Sequence, residues 1–333
     1  MVFVIVTSLI LVLISALLVT LHFGLDKKKV YKNLRFKHVV ITGGSSGIGK
    51  AVAEEAAKLG AHVTIIGRDL TKLESAVNDI SKCKSNNEQK IQYAALDITS
   101  DYSSIEKCLL SLEVDISPIF MLINCAGMCI CGQFETMKIE DIKQMIDLNY
   151  FGTAYPTRYV LKGMKKRNEG VVVFVSSEAA LLGIYGYSAY SAAKWAVRGL
   201  AESVLMELVG TDVRLMLAFP PDTDTPGFKA EELTKPKETK LISGSGGLQS
   251  PQSVGKKMLE DALNGKTYSV FGISGQLLAT LYCSSIDSFG QVLMQILTTG
   301  FLRAVTVPII LSFHKIVRDG LIERIKTEKK AVQ

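Results

Sequence analysis

The stretch 38-HVVITGGSSGIGKAVAEEAAKLG-60 joins an apolar run to a glycine-rich turn and then to a helical pattern. The run HVVIT is short and β-branched, as a strand covered on both faces must be. GKAVAEEAAKLG repeats its small apolar residues at helical spacing. Between them, Gly43, Gly47 and Gly49 form a Gly-x-x-x-Gly-x-Gly turn. Glycine lets backbone turn tightly and approach a ligand closely. The helix start then presents free N–H groups and the positive end of its dipole to a phosphate. With Ser45 and Ser46 inside the turn, these residues are candidate contacts for the pyrophosphate of a dinucleotide.

The same alternation continues outward. Apolar runs recur at HVTII (62–66), IQYAAL (91–96), FMLINC (120–125), VVVFVS (171–176) and VRLMLAF (213–219), with helical patterns such as LTKLESAVNDISK between them. Strand–helix repetition of this kind predicts an α/β fold, a Rossmann-like doubly wound parallel sheet, as one domain over residues 37–270.

The end of the second strand selects the cofactor. A carboxylate here would hold the ribose 2′-hydroxyl of NAD, whereas arginine forks onto a 2′-phosphate. The sequence places Arg68 at this point and Lys72 one turn further on, which predicts NADPH. Asp69 intervenes and is assigned to capping the helix at 70–81. Asp97, at the third strand end, is a candidate partner for the adenine amine. Asn124, at the fourth, opens the small-residue stretch NCAG against which a cofactor can pack.

Tyr190 and Lys194, in YSAAKWA, lie four apart and so on one helix face. A free phenol titrates at about 10 and is a poor acid–base group at neutral pH. A neighbouring ammonium favours the phenolate and brings that value down. The pair is therefore expected to give and take a proton at a carbonyl oxygen. Tyr187 has Ser191 four residues on and is set aside.

Together, TGGSSGIG, NCAG, the asparagine of LNYFG, FVSS and YSAAK resemble the short-chain dehydrogenase/reductase family over about residues 37–270. The resemblance implies a catalytic serine thirteen residues before the tyrosine, which selects Ser177 over Ser176. It also implies that Asn149 holds a water in a proton relay to Lys194, and that the chain pairs into a homo-oligomer. The segment 219–247, rich in Pro, Thr and Gly, follows a strand end and is expected to be a substrate lid. Within it, Thr223 and Thr225 are candidates for contacting the nicotinamide side of the cofactor.

The ends of the chain are apolar. Residues 1–25 carry no Asp, Glu, Lys or Arg and are followed by Lys27, Lys28 and Lys29. That length and flank predict a signal-anchor with the rest of the chain in the cytosol, a cleaved signal being the rival. Residues 271–313 form a second apolar region, expected to contact membrane, and 314–333 a charged tail. The formal net charge of +6 is not gathered into a stripe, which speaks against nucleic-acid binding. The six cysteines lack metal-ligand spacing and read as free thiols of a reducing compartment, with no metal expected.

The doubled proline and repeated Asp-Thr of AFPPDTDTPGF resemble a narrower group within the family. That group reduces a long-chain keto sphingoid base with NADPH at the endoplasmic reticulum membrane, its active site facing the cytosol. A membrane reductase of steroid or retinal carbonyls, or a non-catalytic NADPH-binding scaffold, stays open at this point.

Overall fold

The computed structural model describes residues 30–283 and 289–332, with a scatter of positions between 5 and 20. The chain alternates from the start: β1 (His38–Thr42), α1 (Gly47–Lys58), β2 (His62–Gly67), α2 (Leu70–Ser81), β3 (Ile91–Ala95), α3 (Tyr102–Asp115) and β4 (Ile119–Asn124). It continues with α4 (Ile139–Ile146), α5 (Gly152–Arg167), β5 (Gly170–Val175), α6 (Ser188–Glu207) and β6 (Val213–Phe219). Then follow α7 (Pro226–Glu232), α8 (Lys237–Ser243), α9 (Pro251–Leu263), β7 (Tyr268–Val270), α10 (Gly272–Tyr282) and α11 (Phe289–Val332).

The seven strands form one parallel sheet in the order β3-β2-β1-β4-β5-β6-β7. The order reverses between β1 and β4, and a crevice opens there at the carboxyl ends of the strands. Thr42 is in register with both Ile66 and Asn124, so three strands end level beneath that crevice. Alternate strand residues face opposite layers. Val39 and Ile41 pack towards α1, α2 and α9, whereas Val40 packs with residues of α3, α5 and α6.

Six of the strands fall where the apolar runs place them. β7 was not anticipated, because three residues are too few to show a period, and its register with Leu217–Phe219 makes it a strand. The 219–247 segment holds two helices in place of an irregular loop. α7 starts because the Thr225 hydroxyl accepts from the Phe228 N–H at 3.0 Å and Pro226 occupies the first turn.

α11 runs through residue 313 without a break, so the apolar region and the charged tail share one helix. Its stretch Phe289–Thr327 is long and apolar enough to cross a membrane, and Leu297 and Phe301 there are 72% and 71% exposed. Its charged end turns back onto the catalytic domain at α8. Most of residues 1–25, including the greater part of the expected anchor, lie outside the described residues, as do 284–288 between α10 and α11.

Candidate active site

A cavity of about 530 Å³ occupies the crevice. One end is the glycine turn. Gly43 and Gly47 have φ of +67° and +55°, which an L side chain rarely adopts. A Cβ on Gly49 would stand 2.4 Å from the Gly43 carbonyl oxygen, and one on Gly43 2.8 Å from Ala126. The turn therefore packs against the strand beside it and leaves bare backbone facing the cavity, with Ser45 and Ser46 on the wall. That shape fits a dinucleotide's pyrophosphate at the start of α1.

Arg68, Lys72 and Asp97 line the same end. Asp69 caps α2 by accepting from the Lys72 N–H at 3.1 Å. Its carboxylate also lies 3.4 Å from the Lys72 ammonium. Arg68 is 3.6 Å from Asp97, which also accepts from the Thr99 N–H and hydroxyl. Both cations are well exposed and so can turn towards an added phosphate.

Ser177, Tyr190 and Lys194 come together at the middle of the cavity. The Ser177 hydroxyl is near enough to the Tyr190 phenol to favour its phenolate, and it accepts from the Ala179 N–H at 3.2 Å. Ser176 instead donates to the Lys194 carbonyl at 3.2 Å. The buried Lys194 ammonium donates to the Val175 carbonyl at 3.0 Å and stands 5.7 Å from the Tyr190 ring centre.

Burial rearranges the expected electrostatics. Burial pushes the Lys194 ammonium down to about 8, with the thiols of Cys125 and Cys129 opposing the change. Burial also lifts the Tyr190 phenol well above its usual value, helped by Cys129 and Glu231 and opposed by Ser177. The lowered phenol value expected from the Tyr–Lys spacing is therefore not what this burial favours. Desolvation is the largest cause and raises the phenol, so Tyr190 rests as a protonated acid.

Asn149 is fully buried in a π-helical turn, Asp147–Phe151, which joins α4 to α5. Its amide donates to the carbonyls of Met128 and Met145, and its Oδ1 accepts from the Met128 N–H. It lies behind Gly127, where a Cβ would meet Asn149 Oδ1 at 2.8 Å and Lys194 Nζ at 3.4 Å. Asn124 does not reach the cavity. It points behind the wall and donates to Thr157 at 3.0 Å, leaving Cys125–Cys129 to face the ligand space. Thr223 donates to the Pro221 carbonyl, and Thr225 packs its methyl over Gly47, so both line the wall.

The sequence reading missed several wall residues. Tyr187 is one: its hydroxyl donates to Glu231 of α7, and its ring meets Tyr190 edge-on at 5.6 Å. Glu178, Leu278 of α10 and Phe313 of α11 are others. Helical spacing finds none of these, since they converge from separate elements. Cys129, Cys131 and Glu231 also bring three ligand-type atoms within 4.8 Å, but the carboxylate is committed to Tyr187 and Lys235.

The chain belongs to the short-chain dehydrogenase family, whose profile matches residues 37–236. It is 43% identical to the 3-dehydrosphinganine reductase of Danio rerio over 86% of this chain and 87% of that one. It is 41% identical to the 3-ketodihydrosphingosine reductase of Bos taurus over 87% and 88%. Levodione reductase shares the fold, with a TM-score of 0.66 at 21% identity over 74% of this chain and 99% of that one. The closed form of serine dehydrogenase complexed with NADP+ gives 0.58 at 26% identity over 66% and 86%.

Proposed function

We propose that this chain reduces 3-ketodihydrosphingosine to dihydrosphingosine with NADPH, in sphingolipid synthesis, at the endoplasmic reticulum membrane with its active site towards the cytosol. The observation that carries the reading is one continuous cavity. It joins the glycine turn, the Ser177–Tyr190–Lys194 group and an apolar wall that includes Leu278 and Phe313. Relatives named for this reaction, matching over most of both chains, support the substrate. The exposed apolar half of α11 supports the membrane.

Gly43, Ser45, Ser46, Gly47 and Gly49 hold the pyrophosphate, and Arg68 and Lys72 hold the 2′-phosphate. Bound NADPH supplies the hydride that reduces the ketone carbon. Tyr190 donates its proton to the ketone oxygen, so the product leaves as a neutral alcohol. The Ser177 hydroxyl donates to the same oxygen as negative charge develops there. Lys194 lends positive charge beneath the phenol. Asn149 fixes the Gly127–Met128 turn that borders Lys194.

The test uses membranes from cells expressing the chain, supplied with 3-ketodihydrosphingosine and either NADPH or NADH. Product should form with NADPH and fall about 10²- to 10⁴-fold in Tyr190→Phe. NADPH binding without product would discard the sphingoid substrate.

A further inference from the structure

Five carboxylates line the cavity: Asp69, Asp97, Glu178, Asp222 and Glu231. Four of them face a cation of the protein. Asp69 has Lys72 at 3.4 Å, Asp97 has Arg68 at 3.6 Å, and Asp222 and Glu231 share Lys235 at 3.3 and 3.0 Å. Glu178 has no such partner among the described residues. Its recorded hydrogen bond is a long one, 3.4 Å from the Ser274 hydroxyl on α10.

The position of Glu178 is fixed from several sides. It directly follows Ser177, and its N–H donates to the Pro220 carbonyl at the end of β6. Its carboxylate rests against Gly275, where a Cβ would stand 2.9 Å from Oε1. Leu182 and Leu278 line the cavity alongside it. Burial in this setting lifts the carboxyl to about 7, so its charged form carries a desolvation cost that a neighbouring cation relieves.

The substrate proposed above carries such a cation. Its ammonium sits on the carbon next to the ketone, so fixing the ketone oxygen at Ser177 and Tyr190 confines the ammonium to the adjoining wall. We propose that Glu178 is the ammonium subsite, the residue that selects an α-amino ketone over an uncharged lipid ketone. The inference rests on the sphingoid reading and assigns the part of the cavity that recognises the head group. Asp222 and Glu231 are less suited, because each already faces Lys235 and Glu231 also accepts from Tyr187.

The experiment compares 3-ketodihydrosphingosine with the matched 1-hydroxy-3-ketone lacking the amine. Wild type, Glu178→Gln and Glu178→Asp are assayed with NADPH, and cofactor binding is followed by fluorescence to show each variant folded. The ratio of kcat/KM for the amine-bearing over the amine-free ketone should fall about tenfold or more in Glu178→Gln, the ordinary cost of losing a charged hydrogen bond. Glu178→Asp should keep most of that ratio. A ratio unchanged in Glu178→Gln, including an equal loss on both ketones, overturns the subsite and leaves the sphingoid reading standing. A wild type that ignores the amine-bearing ketone overturns both.

Discussion

The Lys235 ammonium lies 3.0 Å from the Glu231 carboxylate, with the lysine side chain wholly buried. Asp222, 3.3 Å away on the other side, comes from the segment leaving β6. Lys235 thus ties the start of the 219–247 segment to α7, and Glu231 passes the connection to Tyr187 beside Tyr190. Removing one partner of a buried ion pair leaves the others uncompensated. Lys235→Ala should therefore destabilise the chain by about 3 kcal/mol. Urea unfolding measures this, and a midpoint equal to wild type would show that the cluster holds nothing.

A second prediction concerns pH. The Lys194 ammonium is lowered by burial to about 8, so it is charged below that pH and neutral above it. Tyr190 is raised and stays protonated through the same range. If the charge on Lys194 serves the reaction, kcat/KM for NADPH should fall as pH rises through about 8, since this parameter reports the enzyme before it binds cofactor. Lys194→Arg keeps its charge to much higher pH. Whatever activity that variant retains should lack the alkaline fall. A fall at the same pH in the variant would assign it to another group.

A third concerns cofactor choice. Arg68 and Lys72 stand at the cavity end with Asp97 and Asp69 as present partners. A 2′-phosphate offers them a stronger, charge-assisted contact. Arg68→Ala should lower the preference for NADPH over NADH about tenfold to hundredfold, mostly through the NADPH KM. An unchanged NADPH KM would remove Arg68 from the cofactor site.

What the sequence revealed follows from how local each signal is. The glycine turn, the strand runs and the Tyr190–Lys194 spacing each lie within a few residues, and Asp69 caps α2 as its position implied. The Asn124 misreading is also local in origin: a strand end points alternate side chains to opposite sides, and the sequence does not say which. The upward shift of the Tyr190 phenol comes from burial, which spacing does not report. Glu178 stands out only by comparison with the other four cavity acids, and that comparison needs the partners each one meets in space.

The charged end of the apolar helix α11 meets α8 through two ion pairs. Arg324 donates to Glu238, whose side chain is only 4% exposed, and Lys237 meets Glu323 at 2.6 Å. Gly320 lets α11 come close to Glu238 at the same place. Phe313, one stretch earlier on α11, lines the cavity. The helix that carries the exposed apolar face is therefore docked on α8 and also forms part of the cavity wall. Arg324→Ala removes the cation from a buried carboxylate and should loosen α8. Amide hydrogen exchange across Lys237–Ser243 should speed up by about tenfold, the equivalent of some 1.4 kcal/mol of lost local stability. If the alkyl tail runs along the wall that Phe313 lines, the KM for a long-chain ketone should rise more than that for a short-chain ketone of the same head group. Exchange unchanged in the variant would mean that α11 rests on α8 without holding it. A KM rise equal for both chain lengths would separate the docking of α8 from the path taken by the alkyl tail.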